Sequence, residues 1–350
     1  MPSEDRQEKH VYACKLIRFD PFIFVYYGIL ILLSRKCVMK YPFFNFIVCL
    51  FLLSSSLFSQ QSRERRAIPS DEEVQQRVPN GVTLIPNLVY REGHDRWKLD
   101  LAMPSKLGDE PRPAIVFIHG GGWQNGDKRA SGFLNPALSY AEKGYVCITT
   151  NYRLTTRERW RIDHCIADVK NAVRWLRANA DKYNVDPTRI GATGNSAGAH
   201  LSAMLGICPP QAGMEGNGPY SDYSSTVQAV VASATPTSFL IPMSERGRER
   251  FEELETSADL GMKELRKRIS PITYVSVDSP PFLLFHEESD RTVGVYHSDT
   301  FVQALREAGA KDVNYVLFGD GTGHGTFRQN IDLTEPMREA FFARVLKHGQ

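Results

Sequence analysis

Gly194-Asn195-Ser196-Ala197-Gly198 is the stretch of sequence that decides the fold. Residues 189–193 before it are predicted to form a strand, and residues 197–205 after it a helix. A strand that passes directly into a helix needs a turn too tight for side chains at the two glycine positions. Such a turn raises the Ser196 hydroxyl beside the helix N-terminus, where backbone N–H groups favour developing negative charge. The stretch therefore predicts a nucleophilic serine on a strand-turn-helix unit.

A second glycine-rich motif, His119-Gly120-Gly121-Gly122-Trp123, lies at the end of the apolar run 114–119. A tetrahedral acyl-transfer intermediate needs N–H donors aimed at its oxyanion, and glycines let the backbone approach closely. The predicted donors are Gly121, Gly122 and Ala197. A phosphate-binding loop is excluded because no lysine-serine or lysine-threonine pair closes the run. His119 is assigned a structural role, since it lies too early in the chain for the triad order.

The general base and its acid partner are expected after the serine, in the order serine, acid, histidine. Of nine histidines, His324 is the best candidate because it lies in a glycine-rich loop just after the last predicted strand, Val313–Phe318. Asp290 is the predicted acid, since it follows the strand at 282–286 at the carboxyl edge of the sheet, where catalytic groups gather. Three neighbouring carboxylates are rival acids: Glu287, Glu288 and Asp320.

The remaining sequence alternates between segments with the apolar pattern of strands and segments with the apolar pattern of helices. Residues 83–90 and 97–102 predict a β-hairpin. Further strands are predicted at 114–119, 145–150, 189–193, 227–232, 282–286 and 313–318, and helices at 166–176, 197–205, 300–308 and 335–346. This alternation predicts an α/β fold with a mostly parallel central sheet, an initial antiparallel hairpin and helices on both faces. The charged stretch 238–275 interrupts the alternation, and it is either a partial lid above the sheet or a solvated pair of surface helices.

Composition excludes several other classes of protein. The chain has 350 residues, of which 42% are hydrophobic and 23% charged, as in ordinary globular proteins. A net charge of +2 is too small to indicate a nucleic-acid partner. Outside the N-terminal region only Cys147, Cys165 and Cys208 remain, and their scattered spacing forms neither a zinc site nor a disulfide framework. The sequence therefore predicts no metal.

Residues 1–59 are predicted to be a leader. Met39-Lys40, an apolar run at 43–58 and the serines at 54–56 have the layout of a secretory signal peptide over 39–59, which predicts export to the periplasm or the medium. Residues 1–38 would then be an over-extended gene prediction. The alternative is a hairpin of two short membrane segments, at 22–33 and 43–58, that anchors the protein. Residues 60–81 are predicted to be a polar linker, and 82–350 the catalytic domain.

These motifs resemble the esterase/lipase branch of the α/β-hydrolase family, and more narrowly its secreted carbohydrate-esterase-like members related to acetyl xylan and feruloyl esterases. The matching segments are 119–123, 151–154, 168–177, 186–190, 194–200, 270–271, 281–290 and 323–325. The resemblance implies a Ser196–Asp290–His324 triad that hydrolyses carboxylic esters without a cofactor. Three residues depart from the family pattern. Glu287 stands where a glycine often follows the strand histidine, Ala199 replaces a frequent glycine, and Asn195 replaces a frequent acidic residue.

We therefore expect a serine carboxylic ester hydrolase that forms an acyl-enzyme on small-molecule esters, either short-chain or carbohydrate-linked. Trp123 and Tyr152 are candidate substrate contacts. One alternative is a serine peptidase of the same fold, although such enzymes usually carry a large extra domain. Another is a non-catalytic ligand-binding relative, which would need a broken triad. No membrane partner is expected beyond the leader.

Overall fold

The centre of the protein, in a computed structural model of the chain, is an eight-stranded β-sheet. The structure describes residues 68–106, 108–156, 160–249, 251–252 and 260–347. Strands β1 to β8 are Val82–Val89, Lys98–Pro104, Arg112–Ile118, Val146–Thr150, Val185–Asn195, Ala229–Ser233, Phe282–Glu287 and Val313–Phe318. Within the described ranges, helices α1 to α9 are Asp71–Gln75, Ser131–Glu142, Ile162–Ala178, Ala180–Tyr183, Ala197–Ile207, Leu260–Arg268, Tyr296–Glu307, Thr326–Gln329 and Ile331–Phe342.

The sheet has the strand order β1-β2-β4-β3-β5-β6-β7-β8. β2 pairs antiparallel with both β1 and β4, and every other neighbouring pair is parallel. Alternate residues of β3 belong to two separate apolar clusters. Val116 packs with residues of α3 and α5, whereas Phe117 packs with residues of α2 and α9. The predicted fold, a mostly parallel sheet with an antiparallel start and helices on both faces, is confirmed.

Helix α2, Ser131–Glu142, is an element that we did not predict from the sequence. Its buried residues Leu134, Ala137, Leu138 and Ala141 follow the spacing of an amphipathic helix, which was the available signal. Pro136 lies inside the helix, and a proline at such a position argues against a helix in the sequence, because it removes a backbone hydrogen bond. Packing of the apolar face against β3 and β4 outweighs that cost.

The compact unit that contains the sheet includes Ile68, so described structure precedes strand β1. Helix α1 lies inside the stretch expected to be a polar linker, and it starts with a capping box between Ser70 and Glu73. Its one apolar side chain, Val74, is fully buried, and Asp71 forms an ion pair with Arg129. A five-residue helix with one buried residue leaves almost no hydrophobic periodicity in the sequence. The predicted leader and linker residues 60–67 lie outside the described residues.

The two ends of the stretch 238–275 are hydrogen-bonded to each other and to the preceding residue, Thr237. Ser270 Oγ accepts a hydrogen bond from Phe239 N at 2.7 Å, and Ile272 N donates to Thr237 O at 3.1 Å. Between these ends lie residues 250 and 253–259, which are outside the described residues, and α6, whose Leu260 is exposed.

Two further properties concern the described part of the chain only. No helix in it combines the length and the apolar character needed to cross a lipid bilayer. Cys147, Cys165 and Cys208 are free thiols, and all three are buried.

Candidate active site

Four parallel strands end at the same edge of the sheet, and each is followed by a segment that carries predicted site residues. The glycine motif follows β3, and Ser196 follows β5. Asp290 lies beyond β7, and the loop with His324 lies beyond β8. Because parallel strands place their carboxyl ends together, residues about 200 positions apart in sequence lie at one edge.

Ser196 occupies the single position between strand β5 and helix α5. Its backbone has φ 55° and ψ −122°, a conformation that non-glycine residues rarely adopt. The Ser196 N–H donates to Ser233 O, at the end of the neighbouring strand β6, at 2.9 Å. A strained serine held by the adjacent strand, at the start of a helix, is the arrangement that the sequence predicts for a nucleophile.

The two glycines flanking Ser196 are required by close backbone contacts. A Cβ atom on Gly194 would lie 2.4 Å from the Gly198 carbonyl carbon. A Cβ atom on Gly198 would lie 2.1 Å from the carbonyl oxygen of Ile118, at the end of β3. The turn therefore packs directly against the strand that leads into the glycine motif.

Asp290 and His324 form a hydrogen-bonded pair. His324 Nδ1 lies 2.8 Å from Asp290 Oδ2, and the second oxygen, Oδ1, accepts from Thr292 N at 2.8 Å and Val293 N at 3.1 Å. Burial raises the pKa of Asp290, but hydrogen bonds from His286 and His324 outweigh burial and hold that pKa well below its ordinary value. An ionised carboxylate only accepts hydrogen bonds, so Nδ1 of His324 is the donor, and in the neutral tautomer with this proton Nε2 is the acceptor.

No hydrogen bond joins the Ser196 hydroxyl to His324 in the structure, although both residues belong to its described part. Nucleophile–base contacts in free active sites are often long and shorten only when substrate binds.

The rival acids make no hydrogen bond or ion pair with His324 in the described structure. Glu287 is buried and accepts hydrogen bonds from Ser289, Gly321 and Gly323. Glu288 is exposed, and Asp320 accepts from Thr322 and Asn330. Among the four candidates, the structure brings only Asp290 to the imidazole.

His286 is a part of the site that sequence reasoning missed. This fully buried residue lies four positions before Asp290 in the sequence. Its Nε2 is 3.0 Å from Val293 O and 3.4 Å from Asp290 Oδ2. Its Nδ1 lies 2.6 Å from Ser298 Oγ on α7. His286 therefore ties the acid to α7. The sequence offered only its place at the end of a strand, four residues before Asp290, as a signal.

The glycine motif lies beside Ser196. A Cβ atom on Gly120 would be 2.8 Å from Asn195 O and 3.6 Å from Ser196 Cβ. Gly121, Gly122 and Trp123 all have positive φ, and Gly121 O accepts hydrogen bonds from Gln124 N and Asn125 N. Within the described ranges, the amides of Gly121, Gly122 and Ala197 donate no hydrogen bond. The three predicted oxyanion donors are therefore not occupied by protein acceptors.

His119 holds this motif in place. Its ring stacks on Tyr152 at a centroid separation of 4.3 Å, and its Nε2 accepts from Arg96 Nη2 at 3.2 Å while Nδ1 donates to Gly120 O at 2.9 Å. Burial, aided by the Arg96 charge, lowers the pKa of His119 to about 4 despite the hydrogen bond to the Gly120 carbonyl. A neutral, fully bonded imidazole in this position supports the loop.

The expected substrate contact at Tyr152 needs correction. Tyr152 is fully buried, and its hydroxyl donates to His119 O at 2.9 Å. With its ring stacked on His119 and its hydroxyl occupied, Tyr152 has no group to offer a substrate. It supports the glycine motif instead. The sequence could not separate these two roles, because an aromatic residue after a buried strand is compatible with both.

Trp123, the other candidate substrate contact, belongs to a buried aromatic cluster. Its Nε1 donates to His200 Nδ1 at 3.2 Å, and His200 Nε2 donates to Ile269 O at 2.7 Å. Burial lowers the pKa of His200 to about 4, so this imidazole is neutral. Phe239 packs on Trp123 with ring centroids 5.5 Å apart. Trp123, His200 and Phe239 are all buried, so this cluster supports the chain directly after the predicted oxyanion donors.

Comparison with known proteins places this geometry in a family. The sequence profile of the BD-FAE family matches residues 99–305. Esterase LipC from Mycobacterium tuberculosis is 31% identical over 244 residues, which cover 65% of this chain and 56% of that protein. The chain spans about half the length of the curated relatives it matches.

Solved esterase structures share the fold. Thermogutta terrifontis esterase 2, phosphoramylated by tabun, superposes with a TM-score of 0.61 and 27% identity, covering 76% of this chain and 95% of that structure. A truncated carbohydrate esterase from gut microbiota gives a TM-score of 0.63 and 27% identity, covering 76% of this chain and 96% of that structure. Both likenesses extend over nearly the entire length of the solved structures.

Proposed function

Because this chain belongs to the BD-FAE family, whose fold is that of the α/β-hydrolase esterases, we propose that it is a serine carboxylic ester hydrolase. The nucleophile is Ser196, the general base is His324, and Asp290 orients the base. The observation that carries this proposal is the 2.8 Å contact between His324 Nδ1 and Asp290 Oδ2, at the edge of the sheet where β5 presents Ser196 on a strained turn.

The reaction proceeds in two acyl-transfer steps. His324 Nε2 takes the proton of Ser196 Oγ as this oxygen attacks the ester carbonyl carbon, and the resulting oxyanion accepts hydrogen bonds from the amides of Gly121, Gly122 and Ala197. The imidazolium then protonates the departing alcohol, leaving an acyl-enzyme. A water molecule, deprotonated by His324, attacks the acyl carbon and releases the acid.

Asp290 contributes by fixing the tautomer of His324 and by stabilising the imidazolium formed in both steps. The two backbone donors on Oδ1 keep the Oδ2 oxygen directed at His324 Nδ1. Since these donors and His286 are all in place before any substrate binds, the acid needs no rearrangement during the reaction.

The substrate is a small ester, and we propose carbohydrate-linked acyl groups as the finer class. This choice is supported by the likeness to a carbohydrate esterase. From the leader sequence alone we also propose export, which mass spectrometry of the native N-terminus would test.

The test compares Ser196→Ala with Ser221→Ala, which removes the hydroxyl of an exposed serine. Hydrolysis of p-nitrophenyl acetate should fall at least 10³-fold in the first variant and stay within twofold in the second. A fluorophosphonate should label the wild type on the peptide that contains Ser196 and fail to label Ser196→Ala. Near-native turnover by Ser196→Ala would show that the nucleophile is elsewhere. A panel of acetylated xylan, feruloyl esters and short-chain p-nitrophenyl esters then defines the substrate class.

A further inference from the structure

Glu287, the last residue of β7, is a buried carboxylate with an unusual set of partners. Only 1% of the residue is exposed, and its carboxylate accepts hydrogen bonds from the loop after β7 and from the loop after β8. Oε2 accepts from Ser289 N at 2.9 Å, from Ser289 Oγ at 2.6 Å and from Gly323 N at 2.9 Å. Oε1 accepts from Gly321 N at 3.1 Å.

Two of these partners are chain neighbours of the Asp290–His324 pair. Ser289 immediately precedes Asp290, and Gly323 immediately precedes His324. The backbone carbonyl of Glu287 also accepts from Asp290 N at 3.2 Å. One side chain therefore joins the loop that carries the acid to the loop that carries the base, each at the residue next to the reacting group.

We propose that Glu287 is a positioning residue that sets the distance between Asp290 and His324 and the height of the imidazole above Ser196. The inference rests on the proposed function, because it assigns Glu287 a role in the same reaction. Glu287 does not touch the reacting atoms. It acts through the backbone of the two loops.

The chemistry of the four donors explains why a carboxylate is needed. Each oxygen must accept, because Oε1 faces the N–H of Gly321 and Oε2 faces the N–H of Gly323 together with both donors of Ser289. A glutamine offers one accepting oxygen and one N–H₂ group, so in either orientation an amide donor would face another donor. Gly321 and Gly323 have φ of 77° and 58°, and their N–H groups are directed at the carboxylate. In the described structure these two amides donate no other backbone hydrogen bond.

The matched test compares Glu287→Gln with Glu288→Gln, the same chemical change at the exposed neighbour. A displacement of the base by about 1 Å can lower turnover by about 10²-fold. We therefore expect kcat of Glu287→Gln for p-nitrophenyl acetate to fall ten- to hundredfold with KM within twofold, while Glu288→Gln keeps both constants. Amide hydrogen exchange of residues 319–325 should accelerate in Glu287→Gln only.

Several outcomes would overturn the inference. One is a folded Glu287→Gln protein with kcat within twofold of the wild type. Another is a rise in KM at unchanged kcat, which would mean that Glu287 acts in substrate binding. A third is a fall in kcat that is fully explained by the unfolded fraction of the protein. If Glu287→Gln does not fold, Glu287→Asp takes its place. Aspartate keeps the charge but is one methylene shorter and cannot span both loops, so the same fall in kcat is expected, and an unchanged kcat refutes the idea.

Failure of the proposed function would be seen separately, in the wild type. If fluorophosphonate does not label wild-type Ser196, the hydrolase assignment falls before any Glu287 variant is measured. If it does label Ser196 and the Glu287 variants react at the wild-type rate, the assignment stands and the positioning role falls.

Discussion

Replacing Asp290 by asparagine is the sharpest test of the triad, because the surroundings dictate how the new amide must lie. The carboxylate Oδ1 accepts from Thr292 N at 2.8 Å and Val293 N at 3.1 Å. The asparagine oxygen must take this position, since the flipped amide would set its N–H₂ group against two N–H donors and leave them unpaired, at about 1–3 kcal/mol each. The amide nitrogen then faces His324.

This orientation reverses the hydrogen bond to the base. The asparagine N–H₂ donates to His324 Nδ1, so the imidazole proton moves to Nε2, the nitrogen that should accept the Ser196 proton. A wrong tautomer of this kind lowers kcat by about 10⁴-fold in a serine hydrolase triad, which corresponds to about 5.4 kcal/mol of transition-state stabilisation. KM should change little, because the substitution adds no bulk.

The assay is the steady-state hydrolysis of p-nitrophenyl acetate near pH 8, with Asp299→Asn as control. Asp299 is an exposed aspartate on α7 that binds Tyr315 Oη, so this control changes the same atoms outside the site. Circular dichroism should show both variants folded. If Asp290→Asn retains more than a tenth of wild-type kcat, the acid is another residue and the reasoning about Oδ1 fails.

Two further predictions follow from other parts of the structure. Alanine at Gly121 would place Cβ 2.3 Å from Asn125 O and should lower kcat about 10²–10³-fold by displacing the oxyanion loop. Alanine at Gly122 meets no atom within 4 Å and adds only about 1–2 kcal/mol of left-handed strain, so equal losses in the two variants would contradict the loop assignment. Three buried histidines have pKa values lowered by burial to about 4, from 6.5, so the unfolded chain binds more protons as the pH falls below 6.5. Denaturant titrations should therefore show the free energy of unfolding fall between pH 8 and pH 5 by about 2 kcal/mol per histidine, and no fall would refute their buried neutral state. These histidines are His119, His200 and His297.

The order of the elements and the chemistry of single residues could be predicted because both leave local signals. Apolar runs and glycine pairs around Ser196 mark a strand, a tight turn and a helix within a dozen residues. Helix α1 and helix α2 escaped prediction for opposite reasons. One has a single buried residue, Val74, and the other carries Pro136 in its interior. Their stability comes from the surfaces they pack on, which no short window of sequence contains.

What the sequence by itself determined was the alternating α/β fold, the turn at Ser196, the glycine motif and a short set of acids and bases for the remaining roles. Choosing among Asp290, Glu287, Glu288 and Asp320 required the tertiary structure, because all four lie close together in sequence or at the same sheet edge. The hydrogen-bond partners of each carboxylate distinguish them. Asp290 reaches His324, while Glu287 faces the backbone of the loops on either side.

The hydrogen-bond partner also decides the role of Tyr152. Its hydroxyl donates to His119 O, so the residue supports the glycine motif and is not a substrate contact. Residue type and spacing define what a side chain can do. The partner it meets depends on where distant strands end, and that is decided only when the chain is folded.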